Sequence, residues 1–164
     1  MTASPSLEST HTGMSLDARL PGPGSGANLL IRPVLATEID DVRALLAASG
    51  WEHRSADLQR LDELIARSQL ALVAVEEGTG VVGFVRALTD GLSNGYISML
   101  AVRESHRQRG IGSELVRRCM GENEDMTWVL RAGRPGLFGF YEKLGFKMSL
   151  VALERPRRAK AGSA

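Results

Sequence analysis

Residues 96–120 read YISMLAVRESHRQRGIGSELVRRCM. Tyr96 to Val102 is an apolar run of strand composition, and Arg103 to Gly110 is a polar loop. Ile111 to Met120 has helical periodicity, with Ile111, Leu115, Cys119 and Met120 on one face. The first N–H groups of a helix have no partner within it, and the helix dipole adds partial positive charge there. Gly110 and Gly112 let an anion approach that backbone, so the junction reads as a phosphate or pyrophosphate cradle. A plain glycine-containing helix start is the competing reading of these residues. Two other phosphate motifs do not fit. The dinucleotide fingerprint wants glycine where Leu115 stands, and the chain has no Gly-Lys pair for a P-loop.

Upstream, Leu29–Ile31 reads as a short strand ended by Pro33. Thr37 is placed as an N-cap for a helix carrying Ile39, Val42, Leu45 and Leu46, with Gly50 at its C-terminal end. A second helix follows Ser55, with Leu58, Leu61, Leu64 and Ile65 on one stripe. The runs 69–76 and 81–88 flank Glu77-Gly78-Thr79-Gly80, which predicts a hairpin. Downstream, 126–131 reads as a strand. A short helix carries Leu137, Phe140, Tyr141 and Leu144, Gly145 stops it, and a last β segment covers 146–153. The order β-α-α-β-β-β-α-β-α-β implies a mixed α/β sheet, partly antiparallel.

Composition narrows the function classes. With 20 Lys+Arg against 19 Asp+Glu the net charge is +1, which argues against a dedicated nucleic-acid or anionic-membrane binder. No run approaches the ~20 apolar residues of a membrane span. The one cysteine excludes an internal disulfide and suits a reducing, cytoplasmic setting. Three scattered histidines give no metal-ligand spacing, so no metal is expected. Residues 1–28 read as a disordered tail without a secretory h-region, 29–155 as the folded domain, and 156–164 as a flexible basic end.

The motif Arg107-x-x-Gly110-x-Gly112 is followed by Phe140-Tyr141-Glu142-Lys143-Leu144-Gly145-Phe146, with Tyr141 lying 29 residues past Gly112. Together, in this order of strand, helix, strand and helix, they resemble the GNAT superfamily of acyl-CoA-dependent N-acetyltransferases. The resemblance covers roughly residues 29–155. It implies a twisted mixed sheet of about six to seven strands flanked by about four helices, with two parallel strands splayed at an acetyl-CoA slot. It also implies transfer of an acetyl group from acetyl-CoA to an amine, a small molecule being slightly favoured over a peptide. A non-catalytic acyl-CoA-binding module is the alternative.

By the same resemblance, Leu100, Ala101 and Val102 lie along the pantetheine arm. Arg107, Gln108, Arg109, Gly110, Ile111, Gly112 and Ser113 hold the pyrophosphate. Tyr141 is the general acid for the departing thiolate, a phenol of pKa ~10 suiting a thiol. Homodimers occur among similar domains. Two positions depart from the family pattern, Arg134 and Leu137 standing where Asn and Ala are usual. Glu76, Asp90 and His53 are titratable candidates for a base, each with surface solvation as the competing reading. Trp51, Glu52 and His53, or Asp90, Asn94 and Tyr96, are segments that could wall the acceptor site. His106 reads as a solvated loop residue, and Cys119 as inert packing.

Overall fold

The computed structural model describes residues 18–20, 29–52 and 55–156. The chain divides into two compact units, residues 1–131 and 132–164.

The first unit is built on one six-stranded sheet whose strand order follows the sequence. The strands are β1 (Ala18–Leu20), β2 (Leu29–Pro33), β3 (Leu70–Glu76), β4 (Gly80–Thr89), β5 (Asn94–Val102) and β6 (Thr127–Leu130). Neighbours are antiparallel from β1 to β5, and β5 and β6 are parallel. A parallel pair needs a crossover, and α4 (Ile111–Met120) supplies it. The sheet is therefore mixed, as the element order implies. Ala18–Leu20 falls inside the stretch read as a tail, yet it pairs with Leu29–Ile31.

Early helices α1 (Ile39–Leu46), α2 (Ser55–Gln59) and α3 (Leu61–Ala66) put their apolar stripes into the core. Val42, Leu45, Leu46, Leu58 and Leu61 pack with Val73, Phe84, Met99 and Ala101. Gly50 closes the turn after α1 with φ +84, the left-handed conformation that favours glycine. Thr37 is not the cap. It lies inside a 3₁₀ turn, and Glu38 instead reaches back to accept from the Leu35 amide at 2.9 Å. Arg32 holds that carboxylate in two bonds of 2.6 and 2.8 Å. Buried Arg86 on β4 ties α3 to the sheet by donating to Ser68 Oγ at 2.6 Å.

On the other side of β4, α4 packs unusually close. A Cβ built on Gly83 would lie 2.9 Å from Leu115 Cδ1 and 3.1 Å from Ile111 Cγ2, so a larger residue there would make those side chains shift. Gly95 follows Asn94, a pair common in turns, but it lies inside β5. Its missing Cβ makes room for the Trp128 ring of the neighbouring strand.

The second unit holds a 3₁₀ turn at 135–137 and α5 (Phe138–Glu142). Gly145, at φ +88, ends the helix as the sequence predicts, and the Phe146 amide returns to the Tyr141 carbonyl at 3.1 Å. The strand expected over 146–153 is not formed. Met148, Leu150, Val151 and Leu153 are exposed, and the segment has no strand partner among the described residues. Strand propensity expresses fit to a paired, half-buried surface, and an unpaired segment has none.

Candidate functional site

The β5–β6 ladder begins at Asn94↔Thr127 and stops at Ile97↔Leu130, while β5 runs on to Val102. At that point the register with β4 slips, Arg86 facing Met99 and Ala87 facing Ile97, which leaves Ser98 as the extra residue of a β-bulge. A bulge bends the strand and sharpens its twist, so one neighbour can be kept while the other is lost. The Arg103 amide donates to the Val82 carbonyl at 2.8 Å. Main-chain groups alternate along an antiparallel strand, so Ala101 also turns toward β4 and Leu100 and Val102 turn toward the unpaired edge. Ala101 presents neither side chain nor main chain to that edge, because its methyl is in the core. Arg107, expected among the residues that hold the pyrophosphate, donates from Nε to the Val102 carbonyl at 3.3 Å.

The edge leads into the loop before α4. Gln108 (φ +60) and Gly110 (φ +80) are left-handed on either side of Arg109. Such alternation curls successive amides into a concave nest with affinity for anions. The first internal bond closing on α4 is Glu114 N–H to the Gly110 carbonyl, at 3.0 Å. The amides from Gln108 to Ser113 meet no acceptor among the described residues. Nothing would crowd a Cβ on Gly110, so that side of the loop is open space. Ile111 and Leu115 are buried and anchor the helix below it.

A buried polar cluster stands behind this loop. Glu76, the last residue of β3, accepts from His106 Nε2 at 2.8 Å, Arg109 Nη2 at 2.8 Å and Thr79 Oγ1 at 3.1 Å. Ser105 Oγ meets the other ring nitrogen of His106 at 2.8 Å. Glu76 and His106, read from sequence as solvated, are both buried. Their separation of 30 residues hides the pairing from any local pattern. The His106 hydrogen bond first, and the Arg109 bond second, pull the Glu76 carboxyl from 4.5 down to about 2. The lowered value means the carboxylate stabilises the fold fully above about pH 4.5, and that contribution is lost as pH falls toward 2. Thermal melts across this window should show Glu76→Gln losing less stability on acidification than wild type.

Asp90 is a turn residue. Its carboxylate accepts from the amides of Asn94, Ser93 and Leu92 at 3.0, 2.8 and 2.8 Å. These bonds hold it well below the usual carboxylate range, which makes it a poor base. Trp51 packs against the core cluster, Glu52 is exposed, and His53 lies outside the described residues. Asn94 and Tyr96 belong to the β5–β6 ladder. Burial pushes the Cys119 thiol up to about 12, so it is inert. A crevice of about 590 Å³ lies between α1 and the loop leaving β5, with Asp41, Leu45, Ser49, Arg103, Glu104 and Ser105 on its walls.

In the second unit, Tyr141 is buried and packs edge-on to Phe140 and Phe146, at centroid distances of 4.9 and 5.7 Å. Its hydroxyl makes no hydrogen bond to another described residue and is not sealed from solvent. Burial raises the phenol above its ordinary value, so it is protonated at neutral pH.

The first unit is thus an α/β protein with an open strand edge running into a ring of free amides. The sequence model of the acetyltransferase (GNAT) domain matches residues 67–148, half of the chain, and this chain belongs to that family. It is an acyltransferase by class. No curated protein matches it in sequence. Among solved structures it is similar to a GNAT-family acetyltransferase of Streptococcus pneumoniae TIGR4, at 24% identity and TM-score 0.61, over 79% of this chain and 99% of that one. It is similar to a ribosomal-protein-alanine N-acetyltransferase of Brucella melitensis biovar Abortus 2308, at 22% identity and TM-score 0.61, with the same coverage of 79% and 99%. An aminoglycoside N-acetyltransferase solved in complex with CoA aligns at 20% identity and TM-score 0.62, over 83% of this chain and 99% of that one. At these identities the likeness is one of fold. No helix among the described residues is long and apolar enough to cross a membrane.

Proposed function

We propose that the chain transfers an acetyl group from acetyl-CoA to a primary amine by direct attack on the thioester. The observation that carries this reading is the unpaired edge of β5 beyond Ile97, which ends at the free amides of Gln108–Ser113. An extended arm with amide groups can add to such an edge as a strand does, and a pyrophosphate suits the nest and helix dipole beyond it. Leu100 and Val102 present their main chain to the arm, with Arg107 yielding the Val102 carbonyl. Gln108, Arg109, Gly110, Ile111, Gly112 and Ser113 receive the phosphates through their amides. Arg109 does so with its guanidinium already committed to Glu76, and Ala101 supports the edge from the core.

Acetyl-CoA supplies an activated acyl group and a thiolate leaving group. Tyr141, protonated and unpartnered, supplies the proton that the thiolate takes. Asp90 is too weakly basic to deprotonate the amine and Glu76 is committed to His106 and Arg109; in this reading the amine loses its proton to water or enters as its neutral fraction. The aminoglycoside and ribosomal-protein enzymes of the same fold carry the names of both acceptor kinds.

A panel of amines and peptides with acetyl-CoA, scored by released CoA thiol, tests the reading. Turnover with an amine is expected. Acetyl-CoA binding with no turnover across the panel would favour a non-catalytic module. Tyr141→Phe should lower kcat by about 10²-fold or more with acetyl-CoA affinity near wild type. An equal kcat with a good acceptor removes Tyr141 from the mechanism.

A further inference from the structure

We propose that Glu76 is a positioning residue: its buried carboxylate fastens the 106–109 loop to the end of β3 and so presets the amides of Gln108–Ser113. The inference rests on the acyl-CoA reading above.

The geometry is that of a clamp. His106 bonds one carboxylate oxygen at 2.8 Å and Arg109 bonds the other at 2.8 Å. Between these arms lie Arg107 and Gln108. Gln108 has φ +60, a conformation that costs a non-glycine residue energy and persists only where its surroundings over-determine it. Thr79 holds the carboxylate from the hairpin side, and Ser105 holds the far nitrogen of His106. The C-terminal side of the cradle is fixed separately, by Ile111 and Leu115 seated over Gly83. The amides therefore hang between two anchors, one apolar and one ionic. Removing the ionic anchor frees the left-handed residue to relax and turns its neighbouring amides out of convergence. Glu76 touches no reacting atom in this account and acts through the loop.

The test compares two thioesters. Acetyl-CoA carries the pyrophosphate, and S-acetylpantetheine has the same arm and acyl group without it. In Glu76→Gln the KM for acetyl-CoA should rise about tenfold or more, while kcat at saturation and the KM for S-acetylpantetheine stay within about twofold. A general loss of structure would weaken both substrates alike, and that result, or an unchanged KM for acetyl-CoA, overturns the positioning role. Wild-type enzyme that handles both thioesters equally would overturn the cradle reading and this inference with it. Wild-type preference for acetyl-CoA that survives the substitution overturns the positioning role alone. If Glu76→Gln does not fold, His106→Asn removes one arm of the clamp and is held to the same comparison.

Discussion

Gly112→Asp is expected to abolish acetyl-CoA binding while leaving the protein folded. Gly112 is the second residue of α4, inside the run of free amides. A carboxylate there stands within the run of amides proposed to hold the pyrophosphate. Two unit charges about 4 Å apart repel by about 4 kcal/mol at an effective dielectric of about 20, or on the order of 100- to 1000-fold in affinity. The same carboxylate is favourable to the helix, because an anion in the first turn complements its dipole by about 0.3–1 kcal/mol. Removing glycine from a helix adds a comparable gain. The expected signature is therefore a melting temperature at or above wild type combined with lost binding. Calorimetry showing wild-type affinity would place the pyrophosphate elsewhere.

Gly95→Ala is expected to destabilise the fold with no direct effect on the cradle. Its Cβ would lie 2.2 Å from Trp128 Cε3 and 2.3 Å from Cζ3, distances that real side chains do not tolerate. Gly95 and Trp128 are register partners on β5 and β6, so the ring cannot withdraw without loosening the parallel ladder. Trp128 Nε1 is also buried with no hydrogen-bond partner among the described residues, so no polar contact there guides the ring into a new rotamer. Overpacking of this kind costs about 3 kcal/mol, or roughly 6–12 °C in Tm for a domain of this size. A double-mutant cycle with Trp128→Ala checks the cause. If the ring is responsible, the double variant should be more stable than the sum of the single losses by about 2 kcal/mol. Strict additivity would assign the loss to strand backbone preference instead.

The residues that were legible from sequence are those whose signals are local. Ile111, Leu115 and Cys119 mark the buried face of α4 by their spacing alone, and all three are buried. Gly78 and Gly80 mark the hairpin, and both take positive φ. Phe140, Tyr141, Gly145 and Phe146 mark a short helix and its stop. Gly83 invites the reading of a close packing point, although only the structure shows that α4 is what approaches.

The misreadings have a common origin. Glu76 and His106 look solvated because each sits in a polar neighbourhood of the chain, at a turn and in a loop. Burial followed from a pairing 30 residues long that satisfied both groups. Asp90 looks like a free base until its own turn wraps three amides around it. Gly95 looks like part of an Asn-Gly turn, and the neighbouring strand gives it a different use.

The sequence alone determined the mixed α/β order, the strand-loop-helix junction at 96–120 and the family that this junction and the Phe-Tyr motif point to. Helical periodicity, turn glycines and consecutive motif residues are short-range, so their physics is written within a few positions. Only tertiary structure decided where β5 parts from β6, that Ser98 is bulged, that 146–153 finds no strand partner among the described residues and that a buried carboxylate stands behind the loop. Each of those depends on which distant segment lies alongside, and strand pairing and burial have no meaning until the chain has closed on itself.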